Sequence, residues 1–394
     1  MANIKENIKE QPDIDLSQYP YINKGLAGVV AFTTCKSSID GEKGELIYGG
    51  YNINTLAKHA TYEEVCFLLW EDRLPNKTEL NNLKKKMRSQ RKLPQHVLDF
   101  IKSAPKDAEP MSVLRSGVSM LADSEDANQA YTHISAYEEA VRITARMPTI
   151  IAAFDRVRNG KDIVEPLEEG STAENFLYML NGEKPGEKSA HTMDLCLILH
   201  AEHGMNASTF TSRTICSTQS DIYSAVTGAI GCLKGPLHGG ANMKVMDMLL
   251  ELESQGEDAD PEGYVKEKLN NKQKISGFGH RVYKTFDPRA LLLREMAEDV
   301  SKETGRERLY ELSQRVLKTM TTEKDIDPNV DYFSAPVYYS LGIDKDLFTC
   351  IFAMSRAAGW TGHYIEQLNN NKLIRPRAIY VGEKNLEWEP LEKR

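Results

Sequence analysis

Helix signals follow one another along most of this chain of 394 residues. Thr61 and Glu64 form a capping box ahead of an apolar run, and Pro75 closes that segment. Apolar residues then recur at helical spacing between short loops, and no internal repeat is present. The chain is therefore predicted to be mainly α, with many antiparallel helix neighbours. Further helices are predicted over 78–92, 95–103, 111–122, 131–159, 190–203, 221–233, 241–254, 289–303, 307–321 and 347–369.

The β signal is confined to the first fifty or so residues. Val29–Cys35 and Glu45–Tyr48 are two short runs rich in β-branched or aromatic residues, and the turn-rich segment Ser37–Gly44 separates them. We expect a small β hairpin near the N-terminus, as an appendage to the helical core.

The length and two breaks in composition favour two domains. A chain of 394 residues exceeds the size at which a single hydrophobic core stops growing. The breaks lie near Gly235–Pro236 and Leu341–Gly342. We therefore predict one domain built from residues 1–235 and 342–394, into which a smaller domain of residues 236–341 is inserted.

The net charge argues against several classes of partner, and the cysteines and apolar runs indicate the location of the protein. A net charge of −8 argues against nucleic acid and against an anionic membrane, which both require a basic surface. The six cysteines form no C-x-x-C pair, which indicates buried thiols in a reducing compartment. Met1–Gln11 lacks the apolar stretch of a signal peptide, and no apolar run reaches the length of a membrane span. The cytoplasm is the predicted location.

Three histidines next to glycine are candidate site residues: His203, His238 and His280. A histidine at a helix end or a glycine-rich turn can project into a cleft, and the glycine lets a ligand approach the backbone. His363 also adjoins a glycine, but it lies inside a predicted helix, so we assign it to packing.

The segment 277–289, GFGHRVYKTFDPR, combines glycines with several cations. Exposed backbone amides and guanidinium groups both favour anions, so this composition is typical of a site for a phosphate-bearing or carboxylate-bearing ligand. Arg289, Arg356 and Arg375 together would hold a dicarboxylate by both ends, although each arginine alone is more typical of a salt bridge.

Asp331 is a candidate general base. Apolar and aromatic residues follow it, and such surroundings raise the pKa of a carboxyl group. The alternative is that Asp331 caps a helix that starts near Phe333.

These motifs together resemble those of citrate synthases. The resemblance rests on residues 235–242 (GPLHGGAN), residues 277–289, Asn329–Asp331, Arg356 and Arg375, and it extends from about residue 25 to 382. It implies a homodimer in which residues 1–235 and 342–394 form a large helical dimerisation domain. Residues 236–341 would then form the small domain, which closes over the active site.

The resemblance also implies how the reaction is catalysed. Asp331 would remove a proton from the methyl group of acetyl-CoA while His238 donates a hydrogen bond to the thioester oxygen. His280 would donate to the ketone oxygen of oxaloacetate, and citryl-CoA would be hydrolysed before release. No metal or redox cofactor is implied, because histidines polarise the electrophile.

The remaining site residues are implied to bind substrates. For oxaloacetate these are His203, Arg289, Arg356 and Arg375, the last of which would reach the site as Arg375 of the partner subunit. For CoA the implied residues are Ile275, Gly277, Phe278 and Gly279 around the adenine and Lys284 at the phosphates, and Arg281 would add to the positive patch.

Three alternatives stay open at this point. A 2-methylcitrate synthase would share the fold and the catalytic residues but prefer propionyl-CoA. A zinc hydrolase would use His200, Glu202 and His203, although their spacing differs from that of the H-E-x-x-H motif. A helical scaffold that has lost activity is the third, and the intact set of His238, His280 and Asp331 argues against it.

Overall fold

The computed structural model describes residues 22–26, 28–124, 132–280 and 282–394. Met1–Gln11, Tyr131 and Arg281, which entered the predictions above, lie outside the described residues. Internal contacts divide the chain into two units. The terminal unit comprises the described part of Met1–Thr33 together with Ile374–Arg394, and the main unit comprises Thr34–Leu373.

A three-stranded antiparallel sheet opens the main unit. Strand β1 is Ser37–Asp40, β2 is Glu45–Tyr48 and β3 is Tyr51–Asn52, and β2 lies in the middle. In the register of the first pair, Ser37 lies opposite Tyr48. The predicted hairpin and its second strand are therefore confirmed.

The predicted position of the first strand was wrong, because the strand is Ser37–Asp40 and not Val29–Cys35. Val29 and Val30 are exposed, so their β-branched side chains have no apolar surface on which to form a sheet. Ile39, by contrast, packs against the core. The side chain of Asp40 accepts two backbone N–H groups of the turn, and Gly44 adopts a φ of +66°, so the chain reverses directly after β1.

Sixteen α-helices make up most of the described chain. They are α1 Ile53–His59, α2 Tyr62–Glu71, α3 Lys77–Ser89, α4 Gln95–Ser103, α5 Pro110–Met120, α6 His133–Arg158, α7 Thr172–Asn181, α8 Glu187–His200, α9 Ala207–Ser217, α10 Ile222–Leu233, α11 Ala241–Glu253, α12 Pro261–Asn270, α13 Pro288–Thr304, α14 Glu307–Lys324, α15 Val330–Ser340 and α16 Phe348–Asn369.

The start of α2 was predicted from its end signal. The capping box of Thr61 and Glu64 is present at the start of α2, with both reciprocal hydrogen bonds. Helices α1, α7, α9 and α12 were missed, although side chains cap their starts at Asn52, Ser171, Asn206 and Asp260. Helix α8 ends at His200, three residues earlier than predicted, which places His203 in a loop.

Helix α16 is the centre of the core. Its side chains are buried from Phe348 to Ile365, and it packs against α2, α5, α6, α8, α9 and α10. Helices α11 to α15 pack largely on one another, while α13 also contacts α1 and α8. No helix in the described ranges combines the length and apolar character that crossing a membrane requires.

Candidate active site

His238 lies in the turn between α10 and α11, and its ring is held at one nitrogen. Its Nε2 atom is 3.3 Å from the backbone N of Ser208 and 2.9 Å from the Ser208 hydroxyl. Because the backbone N–H can only donate, Nε2 carries a lone pair and the proton lies on Nδ1. Burial, with the nearby charge of Arg356, lowers the pKa of His238 to about 4. The ring is therefore a neutral N–H donor at neutral pH.

His280 is held at the other ring nitrogen, Nδ1. Its Nδ1 atom accepts hydrogen bonds from the backbone N–H groups of Val282, at 3.0 Å, and Tyr283, at 3.2 Å. The proton of the neutral ring consequently lies on Nε2. Burial and the charge of Arg289 lower the pKa of His280 to about 4. His280 is thus a second neutral donor.

His203 lies beside His280, in the loop between α8 and α9. The centroids of the two imidazole rings are 5.2 Å apart, in an edge-to-face arrangement. Burial lowers the pKa of His203 well below its usual value, and Arg289 and Arg356 add to this effect. Gly204 follows with a φ of +61°, which turns the chain toward the start of α9.

Asp331 is the second residue of α15, and it does not cap that helix. The cap is Asn329, whose side-chain oxygen accepts the backbone N–H of Asp331. Burial raises the pKa of Asp331 to about 6, Asp287 contributes in the same direction, and Arg289 and Arg356 oppose it. A carboxylate with this pKa is a suitable general base near neutral pH.

The glycine-rich loop is hydrogen-bonded to the segment that leads into Asp331. The backbone of Gly277 accepts the N–H of Asn329, and the N–H of Gly279 donates to the carbonyl of Asp327. The side-chain amide of Asn329 donates to the carbonyl of Gly279 at 2.9 Å. Gly277 has a φ of +85°, and an added Cβ would lie 2.8 Å from Tyr332. A glycine is therefore required there.

Two buried guanidinium groups link these parts of the site. Arg289 is 2% exposed and forms a two-pronged ion pair with Asp287, at 3.0 and 2.8 Å. Arg356 is 1% exposed, and its Nε donates to the carbonyl of His200 at 2.6 Å. Burial lowers the pKa of Arg356 to about 10.

The charges of the two arginines influence the pKa values of the predicted site residues. The charge of Arg356 acts on His203, His238 and Asp331. The charge of Arg289 acts on His203, His280 and Asp331. His203 and Asp331 thus lie within electrostatic reach of both guanidinium groups, whereas His238 is within reach of Arg356 and His280 of Arg289. Such a group of charges and donors suits a small dianion and a carbon acid.

Comparison with known proteins gives a single family. The family model described as "Citrate synthase, C-terminal domain" matches residues 25–377. "Citrate synthase 2" of Bacillus subtilis (strain 168) is 48% identical over 372 residues, which cover 94% of this chain and 99% of the relative. The chain belongs to the citrate synthase family. The resemblance inferred from the motifs is thereby confirmed, as is the mainly helical fold.

Two further members of the citrate synthase family bear on the substrates. A solved structure, the ternary complex of carboxymethyl coenzyme A and oxaloacetate with the Thermoplasma acidophilum citrate synthase, is 34% identical with a TM-score of 0.87. The matched region covers 95% of this chain and 99% of the Thermoplasma chain. "2-Methylcitrate synthase 2" of Corynebacterium glutamicum is 40% identical, over 95% of this chain and 98% of the relative.

The predicted CoA and carboxylate residues outside this cluster differ in their exposure. Lys284 is exposed, and its backbone N–H donates to the carbonyl of Gly41 at 2.9 Å. Ile275 is buried and Phe278 packs on Tyr332. Arg375 is exposed and belongs to the terminal unit.

Several side chains that orient this citrate synthase site were missed in the sequence. Ser208 holds His238 and in turn accepts the indole N–H of Trp360 at 3.1 Å. Asp287 binds Arg289 and also accepts the backbone N–H of Val330 at 3.1 Å. Asp287 had a local signal, because an aspartate before a proline is typical of a helix start. Ser208 and Trp360 had none, since their partners lie far away in the sequence.

The three residues of the zinc alternative have other partners. His200 Nδ1 lies 2.9 Å from the carbonyl of Cys196, and Glu202 accepts from Ser37 and contacts His363 at 3.1 Å. His203 contacts Tyr283. Within the described ranges, no group of three or more His, Cys, Asp or Glu side chains has the geometry to hold a metal ion.

Proposed function

We propose that this chain condenses acetyl-CoA with oxaloacetate and hydrolyses the resulting citryl-CoA to citrate and CoA. The observation that carries the proposal is the pairing of a base of raised pKa, Asp331, with two neutral imidazole donors of opposite tautomer, His238 and His280. The family membership and the named activities of the relatives support the choice of substrates.

In the first step, Asp331 takes a proton from the methyl group of the thioester. The electron pair of the C–H bond becomes the carbon–carbon double bond of an enol or enolate, and negative charge develops on the thioester oxygen. His238 donates to that oxygen from Nδ1, the nitrogen not bonded to Ser208. A fixed neutral donor stabilises this charge without reorganising during the step.

In the second step, the enol carbon attacks the ketone carbon of oxaloacetate and a carbon–carbon bond forms. The ketone oxygen gains the electron pair, and His280 donates to it from Nε2. We assign the substrate carboxylates to Arg289, Arg356 and Arg375, with His203 as a further contact. Water then cleaves the thioester and CoA leaves. Because imidazole groups polarise both carbonyls, the proposed reaction needs no metal or redox cofactor.

For CoA, we propose that the backbone around Ile275, Gly277, Phe278 and Gly279 receives the adenine. Both glycines have positive φ values, and Gly279 is exposed, so a ligand can approach the backbone there closely. Lys284 is exposed and carries the positive charge that a phosphate requires. We keep Arg281 as an added cation in the same proposal.

We further propose a homodimer in which residues 236–341 close over the site as a small domain. The packing of α11 to α15 largely on one another supports such a unit. Closure would exclude water from the reactive enol. Arg375 of the partner subunit would complete the carboxylate set. A monomeric mass in light scattering, at concentrations where the enzyme is active, would contradict this arrangement.

The test of the function is a comparison of two thioesters. We expect kcat/KM to be higher with acetyl-CoA than with propionyl-CoA, with oxaloacetate as the common partner. One extra methylene in an apolar pocket changes the free energy of the transition state by only about 1–3 kcal/mol, so the ratio is expected at about 10- to 200-fold. A higher kcat/KM with propionyl-CoA would identify a 2-methylcitrate synthase. Turnover with neither thioester would indicate an inactive scaffold.

The pH dependence of kcat/KM is expected to report Asp331. The base acts as the carboxylate, so activity should fall as the pH decreases through about 6 and then decline about tenfold per pH unit. The imidazoles remain neutral in this range, because the pKa values of His238 and His280 are both about 4. An acid limb with its midpoint near 4, the usual range of an aspartate, would contradict this role for Asp331.

We propose the cytoplasm as the location of the enzyme. All six cysteines lie in the described part of the chain as free thiols, and four of them are buried. Free thiols in this number are typical of a reducing compartment.

A further inference from the structure

Tyr283 contacts two of the three imidazoles of the site, those of His203 and His280. It is not among the residues assigned above. Its hydroxyl is 3.2 Å from Nε2 of His203. Its ring lies 4.7 Å from the ring of His280, centroid to centroid. The side chain is only 3% exposed, so these two histidines are among its fixed neighbours.

The backbone around Tyr283 is held from two sides. Its N–H donates to Nδ1 of His280, and the next N–H, that of Lys284, donates to the carbonyl of Gly41 at the tip of the β1–β2 hairpin. A Cβ at Gly41 would lie 2.2 Å from the carbonyl oxygen of Val282, so only glycine permits this approach. The hairpin therefore fixes the tyrosine beside the imidazoles.

The hydrogen bond between Tyr283 and His203 uses only one of the two polar hydrogens that these side chains carry. Burial raises the pKa of Tyr283 and lowers that of His203, so both side chains are neutral and together carry two polar hydrogens. One hydrogen joins the hydroxyl to Nε2. The other stays on Nδ1 if the hydroxyl donates, or on the hydroxyl if Nε2 donates. In either direction the pair can offer one hydrogen to an anionic oxygen.

We propose that Tyr283 is a positioning residue for oxaloacetate, which acts with His203 as a hydrogen-bonded pair that directs one donor at the substrate. The inference rests on the proposed function, because it takes oxaloacetate as the ligand. The contact with the ring of His280 supports it, since His280 is assigned to the ketone oxygen of the same substrate. A donor held next to that imidazole is suited to the carboxylate adjoining the ketone.

The test is Tyr283→Phe, which removes the hydroxyl and keeps the ring. We expect KM for oxaloacetate to rise about tenfold, the effect of losing one hydrogen bond and leaving its partner unpaired. KM for acetyl-CoA is expected to stay unchanged, and kcat to change by less than about threefold. Oxaloacetate should also raise the melting temperature of the variant less than that of the unchanged protein.

The matched control is Tyr264→Phe. This tyrosine lies on α12, and its hydroxyl bonds to Glu251 in an exposed pair at 3.3 Å. We expect both KM values to equal those of the unchanged protein. The control therefore measures what the loss of an ordinary tyrosine hydroxyl does to this fold.

Two results would overturn the inference. One is an unchanged KM for oxaloacetate in Tyr283→Phe. The other is an equal rise of both KM values with a lower melting temperature in the absence of ligand, which would show a purely structural role. A failure of the proposed function would give a different result. In that case the unchanged protein would not condense the substrates. If oxaloacetate still stabilised the unchanged protein, and stabilised Tyr283→Phe less, the role of Tyr283 in binding would stand.

Discussion

Asp331→Asn is expected to lower kcat by about 10²- to 10⁴-fold, the usual contribution of a general base. Asparagine has nearly the same shape as aspartate but cannot accept the methyl proton. The helix start should be unaffected, because Asn329 supplies the cap of α15. Steady-state measurement of CoA release gives kcat, and thermal unfolding gives the stability of the variant.

The stability of this variant distinguishes a catalytic from a structural role. Burial raises the pKa of Asp331, so above pH 6 the charged carboxylate is less favourable in the folded chain than in the unfolded chain. At pH 7 and above, the neutral amide should keep or raise the melting temperature. A suitable control is Asp325→Asn, at a left-handed position after α14 that asparagine tolerates. An unchanged kcat in Asp331→Asn would remove Asp331 from the mechanism.

His238→Ala is expected to lower kcat by about 10²- to 10³-fold, the usual cost of removing one donor to a developing oxyanion. The ring is held by Ser208 at Nε2, so its Nδ1–H has a fixed direction that water in the space left by the ring would not reproduce. Single-turnover measurement with saturating acetyl-CoA and oxaloacetate separates the chemical step from binding.

Binding of oxaloacetate should survive in His238→Ala, since His238 is assigned to the thioester. The increase in melting temperature that oxaloacetate produces should therefore match that of the unchanged protein. His59→Ala is the control, because His59 is exposed at the end of α1. A decrease in kcat of less than about tenfold would exclude His238 as the main donor to the thioester oxygen.

Local signals at the helix ends located only some of the helices. Capping residues act within a few residues of a helix end, so the capping box of Thr61 located the start of α2 closely. Helices α7 and α12 were missed although Ser171 and Asp260 cap their starts. The first strand was misplaced because β-branched residues form a strand only beside a partner strand and an apolar surface. Val30 has neither, whereas the less typical segment Ser37–Asp40 has both.

The site could be predicted as a set of residues but not as an arrangement. Glycine neighbours and the family resemblance indicated His203, His238, His280 and Asp331. The tautomers of the imidazoles depend on contacts such as that between Ser208 and His238, which are thirty positions apart. The contact between His203 and Tyr283 spans eighty positions. Pairings over such separations follow from the packing of helices, and a single sequence contains no local signal for them.

The hydrogen bonds between the glycine-rich loop and Asn329 have a consequence for how the enzyme can be altered. Asn329 joins three groups: the carbonyls of Gly277 and Gly279 and the backbone N–H of Asp331. The proposed contact with the nucleotide and the proton acceptor Asp331 are therefore held by the same hydrogen bonds. A substitution that reshapes the loop to admit a different nucleotide would also reorient the carboxylate of Asp331. The affinity for CoA and the rate at which the thioester loses its proton therefore cannot be adjusted independently.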